Sequence, residues 1–317
     1  MPYAADLSAV LAARDRIAGG VHRTPVFRCS ALDALAGRRV HLKAESLQRT
    51  GSFKMRGALN SVLSLPEASA AAGVVTHSSG NFAQALALAA RLRGVPANIV
   101  MPRNAPAIKQ QAVRGYGARV VLCEPTQRAR EEAARALCEQ TGGTLLHPYD
   151  HADVIAGQGT LGLELLDQVP SLAAVVAPIG GGGLVSGIAL ALREAAPHCP
   201  VFAAEPEGAD DAARSLAAGA RLPQLDPQTV ADGLRTGLGE LTWPVLRDVV
   251  AGLHLVSEEQ IVAAMRLIWE RAKLVVEPSG AVALAAVLSE PFRARPGLED
   301  VAVILSGGNV DLDALPF

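Results

Sequence analysis

Short apolar runs alternating with helical stretches recur along this chain of 317 residues. "GVVTHSSG" (73–80) is a β-branched run that leads into the helical "FAQALALAARLRG" (82–94). "PANIVMP" leads into "APAIKQQAVRGYG", and "ARVVLCEP" into "TQRAREEAARALCEQTGG". Farther on, "LAAVVAPIGGGG" feeds "LVSGIALALREAAP", "PVFAAEP" feeds "GADDAARSLAAG", and "DVAVILSGGN" (300–309) reads as the last strand. Strands that are apolar throughout belong in parallel sheets covered by helices on both faces. The expected fold class is therefore α/β. The three strand–helix units over 73–142 can form a small domain inserted into a larger one.

Half of the residues are hydrophobic and only 3% are aromatic, which suits close helix–sheet packing better than a β-sandwich. A net charge of −2 with no lysine/arginine block leaves nucleic-acid binding without electrostatic support. No apolar run reaches the length of a membrane span. "MPYAADLSAVLAARDRIAGG" mixes charges into a helical pattern, unlike a signal peptide. Cys29, Cys123, Cys138 and Cys199 are scattered and form no CxxC pair, so they read as reduced thiols of a cytoplasmic protein.

In such sheets ligands bind beyond the carboxyl ends of the strands, where loops enter helices. In "APIGGGGLVSG" (177–187), Gly180 to Gly183 follow a strand and open a helix. Backbone N–H groups without Cβ atoms in the way can close round an anion there, and the helix dipole adds to the attraction. No window supplies G-x-G-x-x-G, and the Walker lysine is missing, so the run suits one phosphate rather than a pyrophosphate. "THSSGNFAQA" (76–85) places Ser78, Ser79, Gly80 and Asn81 at a second strand-to-helix turn, where simple capping is by itself the better explanation. "LSGGNVD" (305–311) is a third such loop. The fourth is "SLQRTGSFKMRGALN" (46–60), which carries Lys54. A lysine near a monophosphate cup suggests pyridoxal 5′-phosphate, whose aldehyde forms a Schiff base with an amine. Burial or neighbouring cations, with Arg49 and Arg56 as candidates, would lower the lysine's pKa and free that amine.

The motifs "QRTGSFKMRGA", "SSGN", "PIGGGGLVSG", "AAEPEGADD", "ADGLRTGLGELTWPVLRD", "WERAKLVVEPSGAVALAAVLS" and "ILSGGNVD" span nearly the whole chain. In that order they resemble the serine/threonine dehydratase and serine racemase family of fold-type II pyridoxal-phosphate enzymes. The resemblance implies two open, twisted, mostly parallel sheets in a tryptophan synthase β-like fold. It divides the chain into a discontinuous large cofactor-binding domain, 1–66 and 149–317, and a small domain, 67–148. It implies Lys54 as the Schiff-base residue and as base on one face of Cα, with Ser79 on the other. Phe53, Asn81, Gly180, Gly181, Gly182, Gly183, Leu184, Glu277 and Ser306 would hold the cofactor. A neutral Ser306 at the pyridine nitrogen would make the ring a modest electron sink, favouring β-elimination over transamination. Ser78, Ser79, Gly80, Asn81, Phe82, Arg130 and Thr236 would meet the substrate, although Arg130 equally reads as a solvated helix arginine.

The implied activity is an ammonia-lyase that removes water from a 3-hydroxy amino acid to give an oxo acid and ammonia. Candidate substrates are L-serine, L-threonine or a bulkier analogue such as phenylserine or hydroxyaspartate. Serine racemisation is the alternative, permitted by Ser79. Phe82 stands where the family has histidine, which suggests a more apolar edge to the substrate pocket. The chain ends soon after "SGGNVD", so the regulatory domain of biosynthetic threonine dehydratases is not expected. Glu205 and Asp211 with the Ala209 carbonyl match the oxygen ligands of Mg2+ (or Ca2+ or Mn2+) in racemase-like members, although strand-end and capping roles also fit them. An ATP effector site is matched only in part. Thr50, Gln84 and Tyr116 agree with it, but Tyr149 replaces an asparagine near it. The family expectation is a homodimer. Two other readings stay open: a non-catalytic pyridoxal-phosphate carrier or sensor, encouraged only by Phe82, and a nucleotide-binding α/β protein with Glu205 as the ribose-binding acid.

Overall fold

The computed structural model describes residues 3–317. Its ten strands are β1 (Val26–Arg28), β2 (Arg39–Ala44), β3 (Val74–His77), β4 (Ala97–Pro102), β5 (Arg119–Cys123), β6 (Thr144–Leu145), β7 (Ala174–Pro178), β8 (Val201–Pro206), β9 (Gly252–Val256) and β10 (Asp300–Leu305). One sheet has the order β1-β2-β10-β7-β8-β9 and the other β5-β4-β3-β6. Only the β1–β2 pair is antiparallel. All strands of the second sheet lie between residues 74 and 145, and all strands of the first lie outside that stretch.

The apolar strands are buried on both faces because each face has its own helix layer. Val175, Ala177, Ala302 and Ile304 share a core with the Gly183–Ala195 helix. Ala174, Val176, Val301, Val303 and Leu305 pack instead with the Pro278–Leu288 helix, whose residues from Ser279 to Val287 are all buried. This is the two-residue period of a strand with both sides in apolar surroundings. The Ala152–Gln168 helix meets the Gly183–Ala195 helix backbone to backbone. A β-carbon on Gly187 would come within 2.3 Å of the Ile155 carbonyl oxygen, so only glycine permits that approach. Among the described residues no helix is long and apolar enough to cross a membrane.

Two elements differ from the sequence reading. "DVAVILSGGN" is strand only to Leu305, which leaves Ser306–Asn309 as a loop at the sheet's carboxyl edge. β2, "RVHLKA", escaped the apolar-run criterion because it interleaves Val40, Leu42 and Ala44 with His41 and Lys43. Both polar residues are nonetheless buried. The His41 Nε2 pairs with Asp300 at 2.8 Å, and Lys43 Nζ donates to Glu164, Gln168 and the Thr24 carbonyl.

Candidate active site

The carboxyl ends of β3, β7 and β10 converge with the loop that precedes Lys54. After β7 the chain turns into Gly182, which has φ 88° and caps the Gly183–Ala195 helix, a left-handed position that glycine adopts freely. The carbonyl of Gly181 accepts the Thr242 hydroxyl at 2.7 Å. By contrast, the N–H groups of Gly180, Gly181, Gly182, Gly183 and Leu184 find no acceptor among the described residues, although all five residues are buried. Consecutive buried donors without partners are rare in proteins, and at a helix N-terminus they define an anion cradle. The cup fits a phosphate.

Tyr149 and Thr236 form the rim of this cup. The ring of Tyr149 lies across Gly181, where a β-carbon would meet it at 2.3 Å, and the Thr236 hydroxyl oxygen is 3.2 Å from a β-carbon on Gly180. Burial pushes the Tyr149 phenol up to about 12, so it remains a neutral hydroxyl beside Thr236. The ring also stands edge-on to His147 at 4.5 Å. Burial pushes His147 down to about 4, so it carries no charge at neutral pH, and its Nδ1 accepts the Asp150 N–H.

Lys54 opens the Lys54–Ser64 helix, and its Nζ donates to the Pro148 carbonyl at 2.9 Å. The centres of the Phe53, Phe82 and Tyr149 rings lie 5.0, 5.9 and 5.9 Å from the nitrogen. Burial pushes Lys54 down to about 8, against the opposing pull of Glu277. Arg49 and Arg56, the cations expected to assist, do not account for this shift. Arg56 is buried and spent on Glu45 and Glu164, at 2.7 and 2.9 Å.

Asn81, at the start of the helix after β3, donates through Nδ2 to Glu277 Oε1 at 2.8 Å. Glu277 also accepts the Asn309 N–H, and burial pushes its carboxyl up to about 8. The Phe53 N–H donates to the Ser306 carbonyl, which sets Ser306 directly beside the lysine's loop. In "SSGN" the Gly80 N–H donates to Ser78 Oγ at 3.4 Å. The N–H groups of Ser79, Asn81 and Phe82 have no acceptor among the described residues, so this turn offers a second anion site, open to the crevice.

Phe82 borders the crevice, its ring centre 5.9 Å from Lys54 Nζ, and at 2% exposure it also packs in the core under the second sheet. Thr236 stands at the glycine cup. Arg130 lies on the Gln127–Thr141 helix. It is half-buried, its Nε has no partner, and its charge bears on His77 at the end of β3. Tyr149, considered only beside an effector site, lies against the cup. Glu205 is not free to take a ribose, since it accepts the N–H groups of Ala212 and Ala213 at 2.9 Å each. Asp211 accepts the Leu238 N–H through Oδ2, while its buried Oδ1 has no partner. Burial raises Glu205 to about 8 and Asp211 to about 6, and each carboxylate carries no ion pair. Among the described residues no three His, Cys, Asp or Glu side chains gather round a metal position. Any cation here would rest on these two carboxylates and a backbone carbonyl.

A parallel α/β fold with a monophosphate cup and a desolvated lysine at facing loops defines a pyridoxal-phosphate enzyme. The chain belongs to the family described as pyridoxal-phosphate dependent enzyme, which it matches over residues 17–307. It is 50% identical to a serine racemase of Arabidopsis thaliana, over 99% of this chain and 96% of the relative. It is 49% identical to a beta-hydroxyaspartate dehydratase of Paracoccus denitrificans, over 97% of each. The structure of maize serine racemase superposes with a TM-score of 0.96 at 48% identity, covering 98% of this chain and 95% of that one.

Proposed function

We propose that the protein eliminates water from a 3-hydroxy amino acid, releasing an oxo acid and ammonia. The observation that carries this reading is the row of unpartnered, buried N–H groups from Gly180 to Leu184, next to a lysine that burial holds down to about 8. Gly180 to Leu184 would hold the phosphate of pyridoxal 5′-phosphate, Asn81 its ring oxygen, and Ser306 its ring nitrogen. When bound, that cofactor draws electrons from Cα of the amino acid joined to it, so that the Cα proton becomes acidic and a β-substituent can leave.

The chain's own groups would do the rest. Lys54 Nζ, partly unprotonated near pH 8, takes the Cα proton. The N–H groups of Ser79, Asn81 and Phe82, with Ser78 beside them, receive the substrate carboxylate. Three aromatic rings keep water from the amine. The unpaired Nε of Arg130, near the loop that follows β3, favours a substrate with a second carboxylate, and a relative that acts on beta-hydroxyaspartate agrees with that preference. Glu205, Asp211 and the Ala209 carbonyl would hold a divalent cation, and the unpartnered Asp211 Oδ1 supports this.

A second reading is serine racemisation, favoured by the presence of Ser79 and by the racemase relatives. Its hydroxyl would return a proton to the opposite side of Cα from Lys54. One panel of L- and D-3-hydroxy amino acids, scored for oxo acid, ammonia and the chirality of remaining substrate, separates the two. Oxo acid from hydroxyaspartate, serine or threonine is the expected result. Accumulation of the enantiomer alone would replace elimination by racemisation. Absence of a visible cofactor band that Lys54→Ala abolishes would remove both.

A further inference from the structure

Asn309 lies in the loop after β10 and spends every hydrogen it has. Its Nδ2 donates to Asn81 Oδ1 at 2.8 Å and to the Thr50 carbonyl at 2.7 Å, and its backbone N–H donates to Glu277 Oε2 at 3.1 Å. Glu277 Oε1 in turn accepts Asn81 Nδ2 at 2.8 Å, which closes a ring of hydrogen bonds through three residues. The ring settles which way the Asn81 amide faces. Thr50's carbonyl can only accept, so Asn309 must present its NH2 to that side, and Asn81 must offer oxygen in return. With its oxygen so committed, Asn81 turns its nitrogen to Glu277 Oε1. One N–H of Asn81 Nδ2 is then left without a partner among the described residues.

The same side chain governs the lysine's loop. Thr50 has φ 61°, unusual for a β-branched residue, and its carbonyl is the one that Asn309 holds. Alongside, the Gly308 N–H donates to the Gly51 carbonyl and the Phe53 N–H to the Ser306 carbonyl. The loop after β10 thus clamps residues 50–53, immediately before Lys54, while Asn309 reaches across to a residue that follows β3 of the other sheet.

We infer that Asn309 is a positioning residue. It orients the Asn81 amide so that its free N–H faces the cofactor's ring oxygen, and it holds the Thr50 turn that delivers Lys54. The inference rests on the reading of Asn81 as a cofactor ligand under Proposed function. It makes Asn81 and Asn309 one unit, because Asn81 loses its orientation when Asn309 no longer donates to it.

The test is a double-mutant cycle on the holoenzyme with Asn81→Ala, Asn309→Ala and the pair. It reads cofactor release and the pH at which the bound cofactor's visible band changes. Each single variant should release cofactor about tenfold faster, and the double variant should fall well short of the roughly hundredfold that independent effects would give. Independent, multiplying effects would overturn the inference, as would a cofactor band that Asn81→Ala leaves unchanged. Asn309→Asp keeps shape and backbone bonds but cannot donate, so it should match or exceed Asn309→Ala. If it behaved as wild type, orientation of the amide would not be the cause. A wild-type protein that shows no cofactor band would instead refute the function on which the inference stands.

Discussion

Lys54 and Arg56 lie two residues apart on one helix, both with cationic ends withdrawn from water, and their surroundings make them opposites. Two residues turn a helix by roughly 200°, so the side chains leave on nearly opposite sides. Arg56 meets Glu45 and Glu164, with Lys43 also bound to Glu164 at 2.6 Å. Those carboxylates outweigh the effect of burial and hold Arg56 firmly protonated. Lys54 meets one carbonyl, three ring faces and the field of Glu277, and burial wins. Withdrawal from water therefore does not by itself make a cation reactive. The set of partners decides whether it is locked or freed.

The sharpest test of that contrast is Lys54→Ala. Loss of the group that moves the Cα proton should lower turnover by about 10^4-fold. Chemical denaturation of the same variant at neutral pH should show no loss of stability, because an ammonium that opposes folding is removed and no ion pair is broken. Arg56→Met should do the reverse, stranding Glu45 and lowering the unfolding free energy by about 3–5 kcal/mol in urea titrations. If Lys54→Ala were the more destabilising of the two, the contrast would fail.

The pH dependence should separate the regions by window. Lys54's folded value of about 8 lies below its ordinary 10.5, so the folded protein binds fewer protons there than the unfolded chain. Its ammonium opposes folding below about pH 8, and stability attributable to it rises between about 8 and 10.5. Glu45's contribution, stabilising where that of Lys54 is destabilising, also rises with pH but in a lower window. Arg56 holds it below its ordinary 4.5, so its contribution is complete above that value and is lost as pH falls. Stability curves of cofactor-free wild type against Lys54→Ala and Arg56→Met should show these two windows.

The smallest expected effect concerns Glu205 and Asp211, buried carboxylates without a cation partner. Mg2+ should raise the unfolding free energy by about 2.7 kcal/mol at a hundredfold excess over its Kd. Asp211→Asn should abolish that increase. An Mg2+ response that survives this substitution would place the ion elsewhere.

Much of this was legible from residue order. Strands β3, β7, β8 and β10 announced themselves because both of their faces are apolar, and the four glycines announced an anion cup because few other uses suit such a run. β2 was illegible because His41 and Lys43 look like surface residues until Asp300 and Glu164 are set beside them, 259 and 121 positions away. Phe82 was read as a pocket lining because of its histidine counterpart, and only the structure shows that its ring both faces Lys54 and packs in the core.

Residue order by itself thus marked which backbone could bind a phosphate, while the lysine before it was picked out by the resemblance of its flanking motif. Glycine content and strand–helix periodicity are local properties of the chain. Only the tertiary structure decided that Lys54 is freed while Arg56 is locked, that Tyr149 walls the cup, and that Asn309 turns the Asn81 amide from 228 positions away. Charge state and hydrogen-bond direction depend on what surrounds an atom in space, and those neighbours come together only when the sheets close around the crevice.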